Sequence, residues 1–237
     1  MIELRNFTTG YGRRTLLKDV NLRFQSGRLT ALIGRNGTGK STLLRALAGL
    51  NHNYSGEIRI DGENIRDLSP VKLARKVAFV STARTRIPDM RCSDVVAIGR
   101  APYTNWIGSM QPCDREIVMK SLEDVGMTAY ADRTMNTMSD GECQRIMIAR
   151  ALAQDTPVML LDEPTSFLDL PNRYELCRLL ASLAHDHGKC IIFSTHELDI
   201  ALKLSDMIAL INPPSLELMP PAQLRATGLL KTLFGIE

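Results

Sequence analysis

The stretch Gly34-Arg35-Asn36-Gly37-Thr38-Gly39-Lys40-Ser41-Thr42 follows G-x-x-x-x-G-K-[ST], with Gly34, Gly39, Lys40 and Ser41 in the fixed places. That spacing suits phosphate. Glycines let consecutive backbone N–H groups curl toward one anion. A helix that starts there adds its free N–H groups and the positive end of its dipole. Lys40 then reaches the terminal phosphates, and the Ser41 hydroxyl is placed to hold Mg²⁺. The bland alternative is a chance glycine-rich turn. The apolar run Leu29 to Ile33 before the loop and the helical pattern Thr42 to Ala48 after it argue against that.

Two further stretches carry groups for the same chemistry. Asp162 and Glu163 follow the apolar run Val158-Met159-Leu160-Leu161. Beside a phosphate loop such an Asp holds Mg²⁺, and a neighbouring Glu orients and deprotonates the attacking water. Acids that merely cap the next turn are the alternative. His196 follows the run Ile191-Ile192-Phe193, within Ser194-Thr195-His196-Glu197. A lone histidine after a strand is usually structural. Its place at a strand end parallel to the other two favours a functional role.

Met138-Ser139-Asp140-Gly141-Glu142 reads first as a capping box, with Ser139 at the N-cap and Glu142 three residues later. A Ser and a Gly at a helix start also make an anion site, so both readings stand. Tyr11, in Thr9-Gly10-Tyr11-Gly12-Arg13-Arg14, is either a locally packed turn tyrosine or a ring that stacks on a purine.

These groups need elements to hold them. Ile2–Phe7 and Val20–Phe24 alternate as half-buried antiparallel strands do, and Gly56–Gly62 alternates into an Asp-Gly turn. Val77–Val80, Val158–Leu161, Ile191–Phe193 and Met207–Ile211 read as strands. The continuous apolar run Val158–Leu161 in particular fits a parallel strand buried on both faces. Helices Asp114–Val125 and Glu142–Ala153 lie in a mostly helical segment from Ser81 to about Asp155, interrupted at Pro88, Pro102 and Pro112. A helix over Tyr174–Ala184 follows, and a proline-rich tail ends the chain. Strands alternating with helices imply a mostly parallel sheet, with ligands at its carboxyl edge.

Composition excludes several classes. The 237 residues can bury a large core as one domain. A net charge of +3, from 29 basic and 26 acidic residues, is too small to point to a nucleic-acid partner. The sequence has no stretch of 18 apolar residues, and Met1-Ile2-Glu3-Leu4-Arg5 reads as no signal peptide. Five widely spaced cysteines without a C-x-x-C pair read as reduced thiols, mostly core filler.

With these motifs assembled, the chain resembles the ATP-binding subunit of ATP-binding-cassette (ABC) transporters along essentially its whole length. Gly34–Thr42 is similar to Walker A, Val158–Glu163 to Walker B with its catalytic Glu, and Ser166-Phe167-Leu168-Asp169 to the D-loop. His196 falls at the switch histidine and Tyr11 at the adenine-stacking aromatic. Met138–Glu142 sits where the signature Leu-Ser-Gly-Gly-Gln belongs, with Met138, Asp140 and Glu142 as departures. Thr82 falls where the family keeps the Q-loop glutamine. Asp140 is expected to turn away from phosphate. Asp94–Tyr103 is similar to the ATPases of iron-siderophore, haem and cobalamin importers.

The resemblance implies an α/β fold: a P-loop NTPase with a RecA-like, mostly parallel sheet, an N-terminal antiparallel β subdomain and an inserted helical subdomain. Residues 1–237 would form one ABC ATPase domain, with the helical subdomain at about 82–155. The implied cofactors are ATP and Mg²⁺. Glu163, His196 and Lys40 would be catalytic. Tyr11, Gly34, Arg35, Asn36, Gly37, Thr38, Gly39, Lys40, Ser41, Thr42, Ser139, Gly141 and Asp169 would bind ATP. Ser41, Asp162 and Thr82 would serve the metal, Thr82 through a bridging water. The working unit would be a head-to-tail homodimer with permease subunits and a substrate-binding protein. It would sit on the cytoplasmic face of the cell membrane, touching the membrane only through the permease. The rivals are a soluble cassette ATPase of DNA repair or translation and a small-molecule kinase. Long heptads, zinc cysteines or a second cassette would mark the first, and none is present. The second leaves Ser139–Glu142 and His196 unexplained.

Overall fold

Alternating runs and continuous apolar runs end up in different sheets. The computed structural model describes residues 1–12, 14–83, 87–104, 110–166 and 168–235, apart from the side chain of Tyr11. The chain begins with β1 (Ile2–Tyr11), β2 (Arg14–Phe24), β3 (Arg28–Ile33), α1 (Lys40–Leu47), β4 (Tyr54–Ile60) and β5 (Glu63–Asn64). Next come α2 (Pro70–Ala74), β6 (Val77–Val80), α3 (Cys92–Ala97), α4 (Pro112–Asp124), α5 (Asp140–Ala153) and β7 (Val158–Leu161). The rest is α6 (Leu170–Asp186), β8 (Cys190–Ser194), α7 (Leu198–Leu204), β9 (Met207–Asn212), β10 (Ser215–Met219), α8 (Pro221–Ala226) and α9 (Leu229–Phe234).

The alternating strands make a 4-stranded antiparallel sheet of order β2-β1-β4-β5. Its β4–β5 turn is Asp61-Gly62, with φ of 49° and 84°, as the tight Asp-Gly hairpin requires. The apolar runs make a 6-stranded sheet of order β10-β9-β3-β8-β7-β6, parallel except for β10.

Both faces of the larger sheet are covered, which explains its runs. Met159 and Leu161 of β7 face one core with α5 and α6, while Val158 and Leu160 face another with α1 and the antiparallel sheet. Helix α1 thus lies between the two sheets, with Leu43, Leu44 and Leu47 fully buried. Cys92, Cys143, Cys177 and Cys190 are buried free thiols and Cys113 is an exposed one. No helix of the described residues is long and apolar enough to cross a membrane.

Several boundaries move from the sequence reading, among them the helix read over Tyr174–Ala184, which runs Leu170–Asp186. The presumed turn Thr9–Arg14 is mostly strand, since β1 reaches Tyr11 and β2 starts at Arg14. Helix α4 starts at Pro112 rather than Asp114, because proline suits a first turn and the Gln111 N–H donates to Asp114 Oδ2 (2.9 Å). The proline-rich tail is not a tail. Asn212 pairs with Ser215 across Pro213-Pro214, so β9 and β10 form a hairpin, and Pro221 opens α8. Proline has no N–H to lose at a turn or a helix start.

Candidate functional site

In the larger sheet β8 lies between β3 and β7, so the ends carrying Gly34, Ser194 and Asp162 are neighbours. This is the carboxyl edge where open parallel sheets bind ligands.

The loop after β3 is shaped by steric need. A Cβ on Gly34 would lie 2.7 Å from Thr38 Oγ1 and 3.0 Å from the Ile211 carbonyl. Gly37 and Gly39 have φ of 76° and 105°, conformations that side chains disfavour. Thr38 Oγ1 donates to the Arg35 carbonyl (2.8 Å) and ties the loop across itself. Gly39 N-caps α1 with no side-chain cap, so the first N–H groups stay available for an anion.

Lys40 is 7% exposed, and its Nζ donates to the Gly34 carbonyl (3.0 Å). Burial pushes its ammonium below the ordinary lysine range, against the opposing pull of Glu163 and Asp162. Asn36, Gly37, Gly39, Lys40, Ser41, Thr42 and Glu163 line a cavity of about 550 Å³. Gly34, Arg35, Asn36 and His196 line the adjoining one of about 670 Å³, closed on one side by α9.

Both acids lie beside this loop. Asp162 is 3% exposed, and Ser41 Oγ donates to its Oδ1 (3.0 Å). Glu163 has φ of 48°, and Ser166 Oγ donates to its Oε2 (3.2 Å). His196, 55% exposed, places Nδ1 3.8 Å from Glu163 Oε2. Tyr11 ends β1, opposite Arg14, while its ring, like Phe167, lies outside the described residues. Thr82 is half-buried, two residues beyond β6, and is not among the residues that line the loop's cavity.

Ser139, Gly141 and Asp169 are elsewhere. They line a separate cavity of about 650 Å³, with Asp140 lining it as well. Ser139 caps α5 reciprocally with Glu142: its N–H and Oγ donate to Glu142 Oε2 (2.8 and 2.9 Å), and the Glu142 N–H donates to Ser139 Oγ (3.3 Å). The Ser139 N–H holds the Glu142 carboxyl below the usual carboxylate range. Asp169 N-caps α6, its Oδ1 accepting from the Asn172 N–H (3.2 Å).

Two residues without an assigned role in the sequence reading sit in the site. Ser194, the fully buried end of β8, bonds both to Asp162 and to the Glu163 backbone. Arg173 holds the Leu168 carbonyl (Nε, 2.6 Å) and Glu197 (2.9 Å), tying the loop before α6 to the one after β8. A polar residue ending an otherwise apolar strand was the available signal for Ser194.

Residues 17–166 match the family model described as ABC transporter. The achromobactin transport ATP-binding protein CbrD of Dickeya dadantii is 36% identical over 237 residues, covering 100% of this chain and 88% of that protein. The iron(3+)-hydroxamate import ATP-binding protein FhuC of Bacillus subtilis is 34% identical over 229 residues, 96% of this chain and 85% of the relative. Among solved structures, the dimeric post-hydrolysis state of the ATP-binding cassette MJ0796 bound to ADP and Pi matches with a TM-score of 0.77 at 28% identity, over 93% of this chain and 99% of that one. The relatives are ATP-binding transport proteins by name, and the chain belongs to the ABC transporter family as an ATP-binding domain that hydrolyses ATP.

Proposed function

We propose that this ATPase drives import of an iron-siderophore, haem or cobalamin cargo through a separate permease fed by a substrate-binding protein. The observation that carries the coupling is that Ser139 and Gly141 line a different cavity from the loop's own. Each subunit holds one half of a site. Two copies, head to tail, would sandwich each ATP between one copy's Gly34–Thr42 and the other's Ser139 and Gly141. The names of the siderophore-import relatives support the cargo class. The working place would be the cytoplasmic face of the cell membrane, with contact through the permease alone and no nucleic-acid partner.

Ser41 and Asp162 offer a hydroxyl and a carboxylate 3.0 Å apart, hard oxygen donors that fit Mg²⁺. The ion would supply charge neutralisation on the phosphates. Glu163 takes a proton from water as the water oxygen bonds to the γ-phosphorus and the bond to the β–γ bridging oxygen breaks, leaving ADP and phosphate. Lys40 and the open start of α1 stabilise the phosphate oxygens, Thr82 acts through a bridging water, and His196 contacts the γ-phosphate. Tyr11 stacks on adenine, and Asp169 lines the partner-facing side. The single domain 1–237 would transmit closure to the permease by moving its helical subdomain, about 82–155.

Co-purification tests the reading. The chain should be isolated with a membrane permease, and its ATPase should rise when the permease and a cargo-loaded binding protein are present. ATPase stimulated by DNA or ribosomes instead would move it to the soluble cassette class.

A further inference from the structure

We propose that Ser194 is a positioning residue for both carboxylates of the hydrolytic site, setting the Glu163 backbone and the Asp162 carboxylate with one hydroxyl. The inference deepens the catalytic reading above and rests on its assignment of Glu163 and Asp162.

The sheet register puts Ser194 where it can do this. Strand pairing sets Leu161 beside Phe193 and Leu32 beside Ser194. Ser194 therefore sits between the strand that feeds the phosphate loop and the strand that feeds the acids. Its side chain is 0% exposed. Its Oγ donates its single proton to Asp162 Oδ1 (2.7 Å) and accepts the Glu163 N–H (2.8 Å). An ionised carboxylate only accepts, so the direction of both bonds is fixed.

Two consequences follow. Glu163 sits at φ 48°, a conformation that costs energy for a residue with a Cβ. The bond from its N–H to Ser194 helps hold it there, while Ser166 holds the carboxylate end (3.2 Å). The base is thus fixed at both ends. Asp162 Oδ1 receives two hydroxyls, from Ser194 and from Ser41 (3.0 Å). The Ser41 proton is thereby turned toward Asp162, which leaves the Ser41 lone pairs free for a cation. Removing the Ser194 hydroxyl would leave the part-buried Glu163 N–H without that partner and the buried Asp162 Oδ1 with Ser41 alone.

The test uses the full chain with Ser194→Ala and Ser194→Thr, each first checked by its melting temperature. ATP affinity is measured with EDTA and with Mg²⁺, and turnover is measured alone and in the Glu163→Gln background. For Ser194→Ala we expect Mg²⁺-free ATP affinity within about twofold of the parent, and turnover and the Mg²⁺-dependent gain in affinity each lower by about 10-fold, the scale of outer-shell partners. In Glu163→Gln the added Ser194→Ala should cost less turnover than it does in the parent, since part of its effect acts through Glu163, while the Mg²⁺-dependent gain in affinity should fall as before through Asp162. Ser194→Thr, which keeps the hydroxyl, should restore most of both. Parental turnover and Mg²⁺ response in Ser194→Ala would overturn the proposal, as would equal losses with and without Mg²⁺. If Ser194→Ala does not fold, Ser194→Thr decides: a folded protein with near-parental turnover supports the hydroxyl's role, and one with 10-fold lower turnover overturns it. Full loss in Glu163→Gln with no effect of Ser194→Ala would sink this inference while leaving the catalytic assignment intact. Full activity in Glu163→Gln would sink the assignment itself.

Discussion

Helices α1 and α5 both begin at residues assigned to phosphate, yet their first turns are finished differently. Gly39 caps α1 with no side chain, and its φ of 105° is open to it because it carries no Cβ; one there would lie 3.0 Å from Leu16. Helix α5 closes its own start through Ser139 and Glu142. The open start depends on distant partners: Asp162 holds Ser41 from 121 residues away. The closed start is made within one turn. An N-terminus left open for a ligand needs a scaffold to replace the cap, whereas a capped one folds from its own sequence and can travel as a unit.

The largest expected effect tests the open end. Glu163→Gln should bind ATP normally and lose turnover by about 10²–10⁴-fold, the usual worth of a general base, leaving a nucleotide-bound dimer visible by sedimentation. Near-normal turnover would remove Glu163 from that role.

Mixed dimers test whether open and closed ends pair between copies. With Lys40→Ala in one subunit and Ser139→Arg in the other, both lesions fall in one head-to-tail site and the second stays whole. With both changes in one subunit, each site carries a lesion and turnover should be nearly abolished. The opposite ranking would mean that each site is built within one chain.

Gly34→Ala probes the scaffold itself. The new methyl meets Thr38 Oγ1 and the Ile211 carbonyl, so a loss of about 1–3 kcal/mol in stability is expected, with weaker ATP binding by calorimetry. A stable protein with parental affinity would show that the loop yields more easily than its contacts imply.

Glu142→Ala probes the closed end and should cost about 1 kcal/mol at neutral pH. Because the folded carboxyl titrates below its ordinary value, its contribution is present above the unfolded value and is lost as pH falls through the folded one. The gap between parent and variant in chemical denaturation should therefore close in acid. A gap that persists at low pH would assign the cap to the neutral side chain.

Thr82 should give the smallest change. Thr82→Ala should slow permease-stimulated ATPase with nucleotide affinity nearly constant, and Thr82→Gln should be tolerated, since a bridging water costs little. Unchanged stimulated turnover in Thr82→Ala would leave the residue without a part in coupling.

The sequence by itself determined the parts whose information is local. Glycine spacing defined the phosphate loop, because only glycine takes those backbone angles cheaply. Ser139 and Glu142 defined a helix start, because a capping box closes over three residues. Apolar runs marked strands covered on both faces. Tertiary structure alone decided which strand ends touch. It set Ser194 between Asp162 and Glu163, turned Pro213-Pro214 into a hairpin turn, and put Ser139 in a cavity apart from Lys40. Period and composition encode which face is buried, while contacts between distant segments are fixed by strand order and register, which the order of residues along the chain does not carry.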